Sequence, residues 1–500
     1  MDAFGLALSL VFNADTLIVI VLASAFGLFV GAMPGLTATM ATALLVPITF
    51  YMDPIPAIAA IISCTAMAIT AGDIPGALLR IPGTPASAAY VEDAHGLTRQ
   101  GKAGLAIGIS ICAAALGGLF GFAVLMSAAP MLARFALNFS SFEYFWLSLL
   151  GLSCAVIVSR GGVAKGMLSL LLGLFIAQIG LDPLMGQPRF TFGFAELAGG
   201  ISFIPAMIGM FALAEILRNG RAGLQIVPQI KVATPFAGVG AALRRYRLNL
   251  LRGAATGSVI GALPGVGGDL GAWITYSIAK RTSKTPEKFG TGHPEGLVEA
   301  GATNNAALSS SWIPAMVFGI PGDAVTAVAV GVLFMKGMEP GPQLLTVNPH
   351  NFYAVLLVFV LANLLLIPFG YLAAKVARYI FEVPPSYLNA AILLFCVVGS
   401  YAINNTMFGV LVMLILGVLA YILQSRDFAI APIILGIVLG PLVEQSFTTS
   451  MTIARGDPLG FFERPIAATL GAVTVLIWLA VMVRAAYGAW HLRMSQTHNQ

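Results

Sequence analysis

The sequence predicts an all-α polytopic membrane protein, and two observations support this prediction. Hydrophobic residues make up 58% of the 500-residue chain and charged residues only 9%, whereas a soluble domain carries about 25% charged residues. Apolar runs such as 103–128, 350–374 and 466–483 reach the roughly 18 residues that are needed to cross a bilayer core. They lack the period-two alternation of barrel strands. Dividing the chain at its turn signals gives about 12–15 membrane segments.

The placement of charge divides the chain and orients it. No Lys or Arg occurs in residues 1–79, whereas both crowd residues 218–247 and 280–288. Since positive loops stay in the cytoplasm, we expect a periplasmic N-terminus and a cytoplasmic C-terminus. The net charge of +5 reflects this asymmetry, and we see no basic patch that would bind nucleic acid. The predicted regions are an N-terminal interfacial segment without signal-peptide character (1–15), transmembrane repeat 1 (16–217), a basic cytoplasmic linker (218–246), transmembrane repeat 2 (247–465), and a C-terminal transmembrane helix with a cytoplasmic tail (466–500).

Two stretches of the first half recur in the second. GAMPGLTATM (31–40) returns as GALPGVGGDL (261–270), 230 positions later, and IPGALLRIPGTP (74–85) returns as IPAMVFGIPGDA (313–324), 239 positions later. Cations flank the second copy of the first stretch but not its first copy, so the two hairpins are predicted to enter the membrane from opposite sides. Such inverted-topology repeats build secondary transporters, with the substrate site where the repeats meet.

Each predicted repeat contains two helix-breaking Pro-Gly pairs. These are Pro34-Gly35, Pro82-Gly83, Pro264-Gly265 and Pro321-Gly322. Proline removes an intrahelical hydrogen bond, and glycine admits backbone angles that a helix forbids. Freed backbone groups cost several kcal/mol each in hydrocarbon, so we expect re-entrant hairpins that line a cavity or contact a ligand. A helix N-terminus after a break offers unpaired N–H groups to an anion.

The residues around the breaks are the predicted site. The candidates for solute binding are Pro34, Gly35, Thr37, Thr39, Gly83, Thr84, Gly265, Gly267, Gly268, Asn304, Asn305, Ser309, Ser310, Ser311 and Gly322. Buried amides need partners, which favours the Asn pair, whereas each Ser or Thr could instead bond to its own helical turn.

Three carboxylates lie among the breaks and are the candidates for ion coupling. Asp269 is favoured because it follows two glycines at the hairpin tip, with Asp73 and Asp323 behind it. Intramembrane acids usually carry ions or protons, so each could coordinate a cation, such as Na⁺ near Asp269, or take up H⁺. The alternative for Asp73 and Asp323 is a helix N-cap near the water interface.

Other polar features carry less information. GHPEGLVEA (292–300) contains His293, Glu295 and Glu299, but it lacks the HExxH spacing of a zinc site, and we interpret it as a solvated segment. Arg80 could contact the solute or extend its side chain to the cytoplasm. The absence of a Walker A loop or a GxSxG elbow argues against ATP-driven pumping and hydrolysis. We therefore expect neither an enzyme nor a cofactor, only a coupling ion, Na⁺ or H⁺.

The ordered motifs resemble one transporter family over about residues 27–465, nearly the whole chain. The motifs are GAMPGLTATMATALLVPITF, RIPGTPASAAYVEDAHGLTRQGKAGLA, ATNNAALSSSWIPAMVFGIPGD and LGPLVEQSFTTSMTIARGD. They resemble the large membrane subunit of tripartite tricarboxylate transporters. The resemblance implies a secondary transporter of the bacterial inner membrane that works with a small four-helix membrane subunit. It also implies a periplasmic solute-binding protein that delivers an organic carboxylate anion, and uptake driven by a proton or sodium gradient.

The family's motifs map onto the predicted site, with departures. Its PGL, Asn-Asn-Ala and IPG motifs fall on Pro34–Leu36 and Pro264–Val266, on Asn304–Ala306, and on Ile81–Gly83 and Ile320–Gly322. Many relatives read YGGS where this chain reads TAGD (70–73), carry Ser at the position of Asp323, and have an acid just before the Asn pair. These departures fall in the site, so the solute is not carried over. A passive anion channel and a non-transporting scaffold subunit remain as alternatives.

Overall fold

A computed structural model describes residues 2–159, 161–182, 186–219, 232, 234–381 and 385–497. Within them the regular secondary structure is helical, apart from one antiparallel pair of two-residue strands, β1 (Gly180–Leu181) and β2 (Pro188–Arg189). Part of the predicted basic linker, residues 220–231 and 233, lies outside the described residues.

The first half forms helices α1 to α11. They are α1 (Ala3–Val11), α2 (Ala14–Ala32), α3 (Ala38–Thr49), α4 (Pro54–Ala71), α5 (Asp73–Leu79), α6 (Val91–Arg99), α7 (Ala103–Ala136), α8 (Ser141–Val158), α9 (Val163–Ala177), α10 (Phe203–Met207) and α11 (Ala214–Asn219). A π-helical segment, Ile208–Leu213, joins α10 to α11, and short 3₁₀ turns occur at Ser87–Ala89 and Ala195–Leu197.

The second half forms helices α12 to α22. They are α12 (Val239–Arg245), α13 (Arg247–Gly261), α14 (Gly267–Thr282), α15 (Pro294–Phe318), α16 (Ala324–Met335), α17 (Pro342–Thr346), α18 (Pro349–Phe381), α19 (Pro385–Asn404), α20 (Met407–Gln424), α21 (Ala431–Ile453) and α22 (Pro465–Thr497). Further 3₁₀ turns occur at Pro286–Lys288 and Pro458–Phe462.

Many of these helices are long and apolar enough to cross a membrane. In the described part of the chain, eight spans qualify: α2, α4 with α5, α7, α8, α18, α20, α21 and α22. Shorter apolar helices are α3, α9, α16 and part of α19. The prediction of an all-α polytopic membrane protein is confirmed. The number of crossings and the region boundaries stay predictions.

The two halves repeat one helix contact. Helix α2 packs on α4, and α13 packs on α15. A Cβ atom on Gly31 would lie 2.3 Å from the carbonyl oxygen of Ala68, and one on Gly261 would lie 2.2 Å from that of Ala307. The glycines are 230 positions apart and their partners 239 positions apart, as in the sequence repeat. The same contact occurs one turn earlier, for Gly27 on Cys64 and for Gly257 on Thr303. The repeat is therefore structural, and its inverted orientation stays a prediction.

The halves also exchange helices. Helix α9 of the first half packs on α21 of the second, where a Cβ on Gly173 would lie 2.1 Å from the carbonyl oxygen of Ile433. Conversely, α20 packs on the π-helical segment, where a Cβ on Gly209 would lie 2.2 Å from the carbonyl oxygen of Met413. We call α8–α11 with α19–α21 the exchanged bundle. We call α2, α4, α5, α7, α13–α15 and α18, which pack on one another, the central bundle.

Candidate functional site

Both first breaks interrupt a helix hairpin at the predicted Pro-Gly pair. The chain turns between α2 and α3 at Pro34-Gly35, and between α13 and α14 at Pro264-Gly265. Gly35 and Gly265 have φ angles of 87° and 78°, a region that a residue with a Cβ adopts at a cost. The Thr37 hydroxyl then accepts a hydrogen bond of 3.2 Å from the Met40 amide and caps α3.

Both second breaks close with the same reciprocal cap. The Thr84 and Ser87 backbone amides each donate to the other residue's hydroxyl, at 3.0 Å. At 239 positions further on, the Asp323 amide donates to the Thr326 hydroxyl at 2.8 Å, and the Thr326 amide donates to Asp323 Oδ1 at 2.7 Å. Asp323 is therefore the N-cap of α16, the alternative that its sequence position left open. Its role in ion coupling stays a prediction.

The segments after the breaks contact each other across the halves. Helix α3, which follows the first break of the first half, packs on α16, which follows the second break of the second half. Helix α14 likewise contacts the turn Ser87–Ala89, and Trp273 Nε1 donates a hydrogen bond of 3.0 Å to the Pro85 carbonyl oxygen. Each half therefore supplies one side of each contact, as expected for a site between repeats.

The start of α14 lies against the middle of α15. A Cβ on Gly268 would lie 3.6 Å from the Asn304 carbonyl oxygen, and one on Gly267 would lie 3.1 Å from Asp323 Cβ. The next residue, Asp269, interacts electrostatically with Tyr90. The fold thus brings the third break, the fourth break and the Asn pair together, as the sequence predicts.

A buried hydrogen-bonded chain joins the two halves beside this point. Tyr90 Oη donates to Asp73, at 2.8 Å from Oδ1 and 3.0 Å from Oδ2, and accepts a hydrogen bond of 2.9 Å from Asn304 Nδ2. The Ser110 hydroxyl of α7 also interacts with Asp73. Asp73, Tyr90 and Asn304 are each at most 3% exposed. This hydrogen-bonded chain is therefore closed to solvent. Sequence reasoning missed Tyr90 and Ser110.

The other polar residues of α15 bond within the fold. Asn305 accepts a hydrogen bond of 3.3 Å from the Thr70 hydroxyl and donates to Asn363 Oδ1 at 3.3 Å. Ser309 donates to the Gly118 carbonyl oxygen, and Ser311 to that of Leu308. Ser310 Oγ is buried and has no hydrogen-bond partner among the described residues. Asn304 is therefore the member of this set that the fold joins to the carboxylate Asp73.

The segment 292–300 is not solvated, so that interpretation is wrong. Glu299 is 0% exposed, and its Oε1 lies 2.6 Å from Arg252 Nε. Asn249 donates a second hydrogen bond to Glu299, at 2.8 Å. The loop before α15 is held by Asp93 of α6, whose Oδ1 accepts bonds of 2.8–2.9 Å from the amides of Gly290, Gly292 and His293. These long-range contacts leave no signal in local sequence.

Two cavities lie away from the predicted residues. One of about 410 Å³ is lined by Tyr144, Phe318, Gly319, Glu339 and Gln445, among others, beside the C-terminal end of α15. A second, of about 290 Å³, lies between α8, α9 and α21. No group of three His, Cys, Asp or Glu side chains that could hold a metal ion occurs within the part of the chain that the structure describes.

Comparison with known proteins identifies the family. The model of the tripartite tricarboxylate transporter TctA family matches residues 17–435. The chain is 34% identical over 468 residues to the Agrobacterium vitis "Uncharacterized 52.8 kDa protein in TAR-I ttuC' 3'region", covering 92% of each chain. It is also 37% identical over 232 residues to the A. vitis "Uncharacterized protein in TAR-II ttuC' 3'region", covering 46% of this chain and 96% of that one. No solved structure matches. The chain therefore belongs to the tripartite tricarboxylate transporter TctA family, whose members are membrane components of a transporter and not enzymes.

Proposed function

We propose that this chain is the secondary active carrier that imports an organic carboxylate anion of the di- or tricarboxylate class. A Na⁺ or H⁺ gradient drives the uptake. The observation that carries this proposal is the contact between broken helices of the two halves, with the buried carboxylate Asp73 beside it. Family membership supports a tripartite system with a periplasmic solute-binding protein and a small four-helix membrane subunit.

The anion would bind at the start of α14, against α15. Helix α14 begins at Gly267 after the third break, and unpaired N–H groups at a helix N-terminus attract negative charge. The backbone carbonyl group of Asn304 lies against this N-terminus, and the second hydrogen of Asn304 Nδ2, which already donates one bond to Tyr90, would offer a further donor. The hydroxyls of Thr37 and Thr39 would complete the site from the first hairpin. Asp73, which is buried, and Asp269, which is exposed in the first turn of α14, are the proposed coupling groups, since acids within a membrane protein usually exchange ions or protons.

The distribution of Lys and Arg supports an orientation in the bacterial inner membrane. The proposed cytoplasmic side carries the basic linker and the C-terminal tail, and the N-terminus faces the periplasm. In this orientation the binding protein delivers solute to the side where α3 ends and α4 begins. No cofactor is proposed.

Uptake by the complete three-component system in proteoliposomes tests the function. The probes are radiolabelled citrate, succinate and malate, with imposed Na⁺ or pH gradients, with and without the binding protein. We expect accumulation above the external concentration only when a gradient and the binding protein are both present. Flux that equilibrates without either would indicate a passive channel. Uptake that survives Asp269→Asn together with Asp73→Asn unchanged would indicate a scaffold subunit.

A further inference from the structure

Asp73 is a carboxylate held by hydroxyl groups at the junction of two helices. It is the first residue of α5, directly after Gly72, which separates α5 from α4 within the span 54–79. Asp73 is 2% exposed, and both of its carboxylate oxygens lie within 3.0 Å of Tyr90 Oη. The Ser110 hydroxyl of α7 also interacts with this carboxylate. The contacts reported for this carboxylate therefore come from hydroxyls rather than from a basic side chain.

We propose that Asp73 is the proton-binding site of this carrier and that Tyr90 transmits its protonation state to Asn304. The inference rests on the proposed transport function and names its coupling ion as H⁺. It concerns a position where this chain departs from many relatives of the family that it resembles.

The charges around Asp73 favour a neutral carboxyl. Asp269 of α14 interacts electrostatically with Tyr90 and adds negative charge near it. Arg80, at the other end of α5, is 61% exposed and paired with Glu92. On α6, the His95 ring contacts the Ala77 carbonyl oxygen, and Asp93 is bound to the loop before α15. A buried carboxylate without a cation is costly, and a proton removes its charge.

The hydrogen-bond groups present satisfy both forms of Asp73. When the carboxylate is ionised, the Tyr90 hydroxyl donates to it, and the nearby Ser110 hydroxyl can donate as well. When a proton binds, one carboxyl oxygen becomes a donor, and the Ser110 hydroxyl can accept from it because a hydroxyl both donates and accepts. The Tyr90 O–H bond stays intact and donates to the remaining carbonyl oxygen. No proton leaves tyrosine, so the proton that enters on one side is the proton released on the other.

The Tyr90 hydroxyl argues against a sodium site at the Asp73 carboxylate. Hard cations are bound by several oxygen atoms whose lone pairs point at the ion. Here the hydrogen of the Tyr90 hydroxyl points at the carboxylate and occupies the direction from which a cation would be coordinated. The Asn304 group nearest to this hydroxyl is its Nδ2 amide, which is a donor.

Tyr90 connects proton binding to anion binding. Asn304, which donates to Tyr90, lies against the α14 N-terminus where the anion is proposed to bind. An anion there is repelled by an ionised Asp73 and less so by a neutral one. By linkage, the bound anion raises the affinity for the proton by the same factor as the proton raises the affinity for the anion. This reciprocity would make the two bind and cross together.

Gradient-driven accumulation and solute exchange, measured on the complete system in proteoliposomes, separate the outcomes. With radiolabelled citrate or succinate, whichever exchanges, we expect wild-type vesicles to accumulate solute under an inward proton gradient without Na⁺. Asp73→Asn should retain solute exchange while its accumulation ratio falls to one. Asp73→Ser, which installs a residue that relatives carry, is the second variant if Asp73→Asn fails to fold. Asp457→Asn, at the N-cap of the 3₁₀ turn Pro458–Phe462 and outside the predicted site, is the matched control and should accumulate like wild type.

Tyr90→Phe keeps the carboxylate and removes the connection to Asn304. We expect a reduced accumulation ratio with retained exchange, and a flatter dependence of the solute KM on external pH. Accumulation that follows Na⁺ alone, or an unchanged ratio in Asp73→Asn, would overturn the proton site. A Tyr90→Phe carrier identical to wild type would overturn the relay. Absence of exchange in wild type would refute the proposed transport function instead.

Discussion

The second helix break occurs twice in the chain with an equivalent cap and different side chains. In the first half the Gly83 amide donates to the Gly72 carbonyl oxygen at 3.0 Å. In the second half, at positions 239 residues further on, Gly322 packs against Ser311 so closely that a Cβ on the glycine would lie 2.8 Å from Ser311 Cβ. Both breaks end in a reciprocal cap between two residues that are three positions apart in the chain.

The side chains beside these two equivalent caps differ between the halves. Asp73, with its Tyr90 partner, corresponds to Trp312 in the second half, which stacks edge-on against Phe359 at 5.5 Å between ring centroids. Conversely, Asp323 of the second half corresponds to Thr84, and both are caps. The comparison teaches that the breaks are a repeated scaffold, whereas the titratable group joined to Tyr90 belongs to the first half. The following predictions test how far the copies are equivalent.

The largest expected difference concerns an ion pair that only the second half has. Arg252 and buried Glu299 correspond to Leu22 and Ala60 of the first half. Arg252→Leu leaves Glu299 buried without its counter-charge, which costs about 3–5 kcal/mol. We expect a strongly lowered Tm in detergent. The double variant Arg252→Leu/Glu299→Ala, which copies the first half, should recover most of the loss. A single variant as stable as wild type would contradict the prediction.

Next in size is the loss of glycine at the repeated helix contact. Gly31→Ala and Gly261→Ala each place a Cβ within 2.3 Å of a backbone carbonyl oxygen, and overpacking of this kind costs about 1–3 kcal/mol. The two Tm values should fall by similar amounts, because the contacts are equivalent. Gly240→Ala in α12, where a Cβ meets nothing within 4 Å, is the control and should not lower the Tm. If the Tm fell for only one of the two variants, the two helix contacts would not be equivalent.

A smaller effect is expected from removing either cap. Thr84→Ala and Asp323→Ala each delete a side chain that accepts a helix amide, at a cost of about 1 kcal/mol. Thermal unfolding monitored by tryptophan fluorescence is the measurement. Asp323→Asn is the comparison variant, since Asn caps as well as Asp does. If Asp323→Asn unfolds as early as Asp323→Ala, the carboxylate has a role beyond capping.

The smallest effect is expected at the exposed pair Arg80–Glu92. Both side chains are about half exposed or more, at 61% and 48%, and such pairs contribute about 0–1 kcal/mol. Arg80→Met should therefore shift the Tm far less than Arg252→Leu, and the shift should vanish in high salt. A loss as large as that of the buried pair would show that Arg80 has another partner.

The sequence predicts the broken-helix framework well because Pro and Gly act locally. All four Pro-Gly pairs fall between helices, since the loss of an amide and the freedom of φ are properties of the residues themselves. The repeat is equally readable, because Gly31 and Gly261 carry the same packing constraint.

Residues that depend on distant partners escape sequence reasoning. Tyr90 is an aromatic in an apolar context, and nothing local shows that its hydroxyl joins Asp73 to Asn304. Glu299 follows a basic loop, so its burial against Arg252 of α13 is invisible. Helix α15 is buried on all sides over most of its length, so helical periodicity could not separate Asn304 from Asn305, Ser309 and Ser311.

The exchange of helices between the halves has a consequence for biosynthesis. Ile433, the partner of Gly173, is made 260 residues later, which is roughly 13–52 s at the usual rates of translation. During that delay α9 lacks its packing partner, α21. A chain truncated after the first half never contains α21. The tandem copies are therefore obliged to stay covalently joined or to be produced side by side.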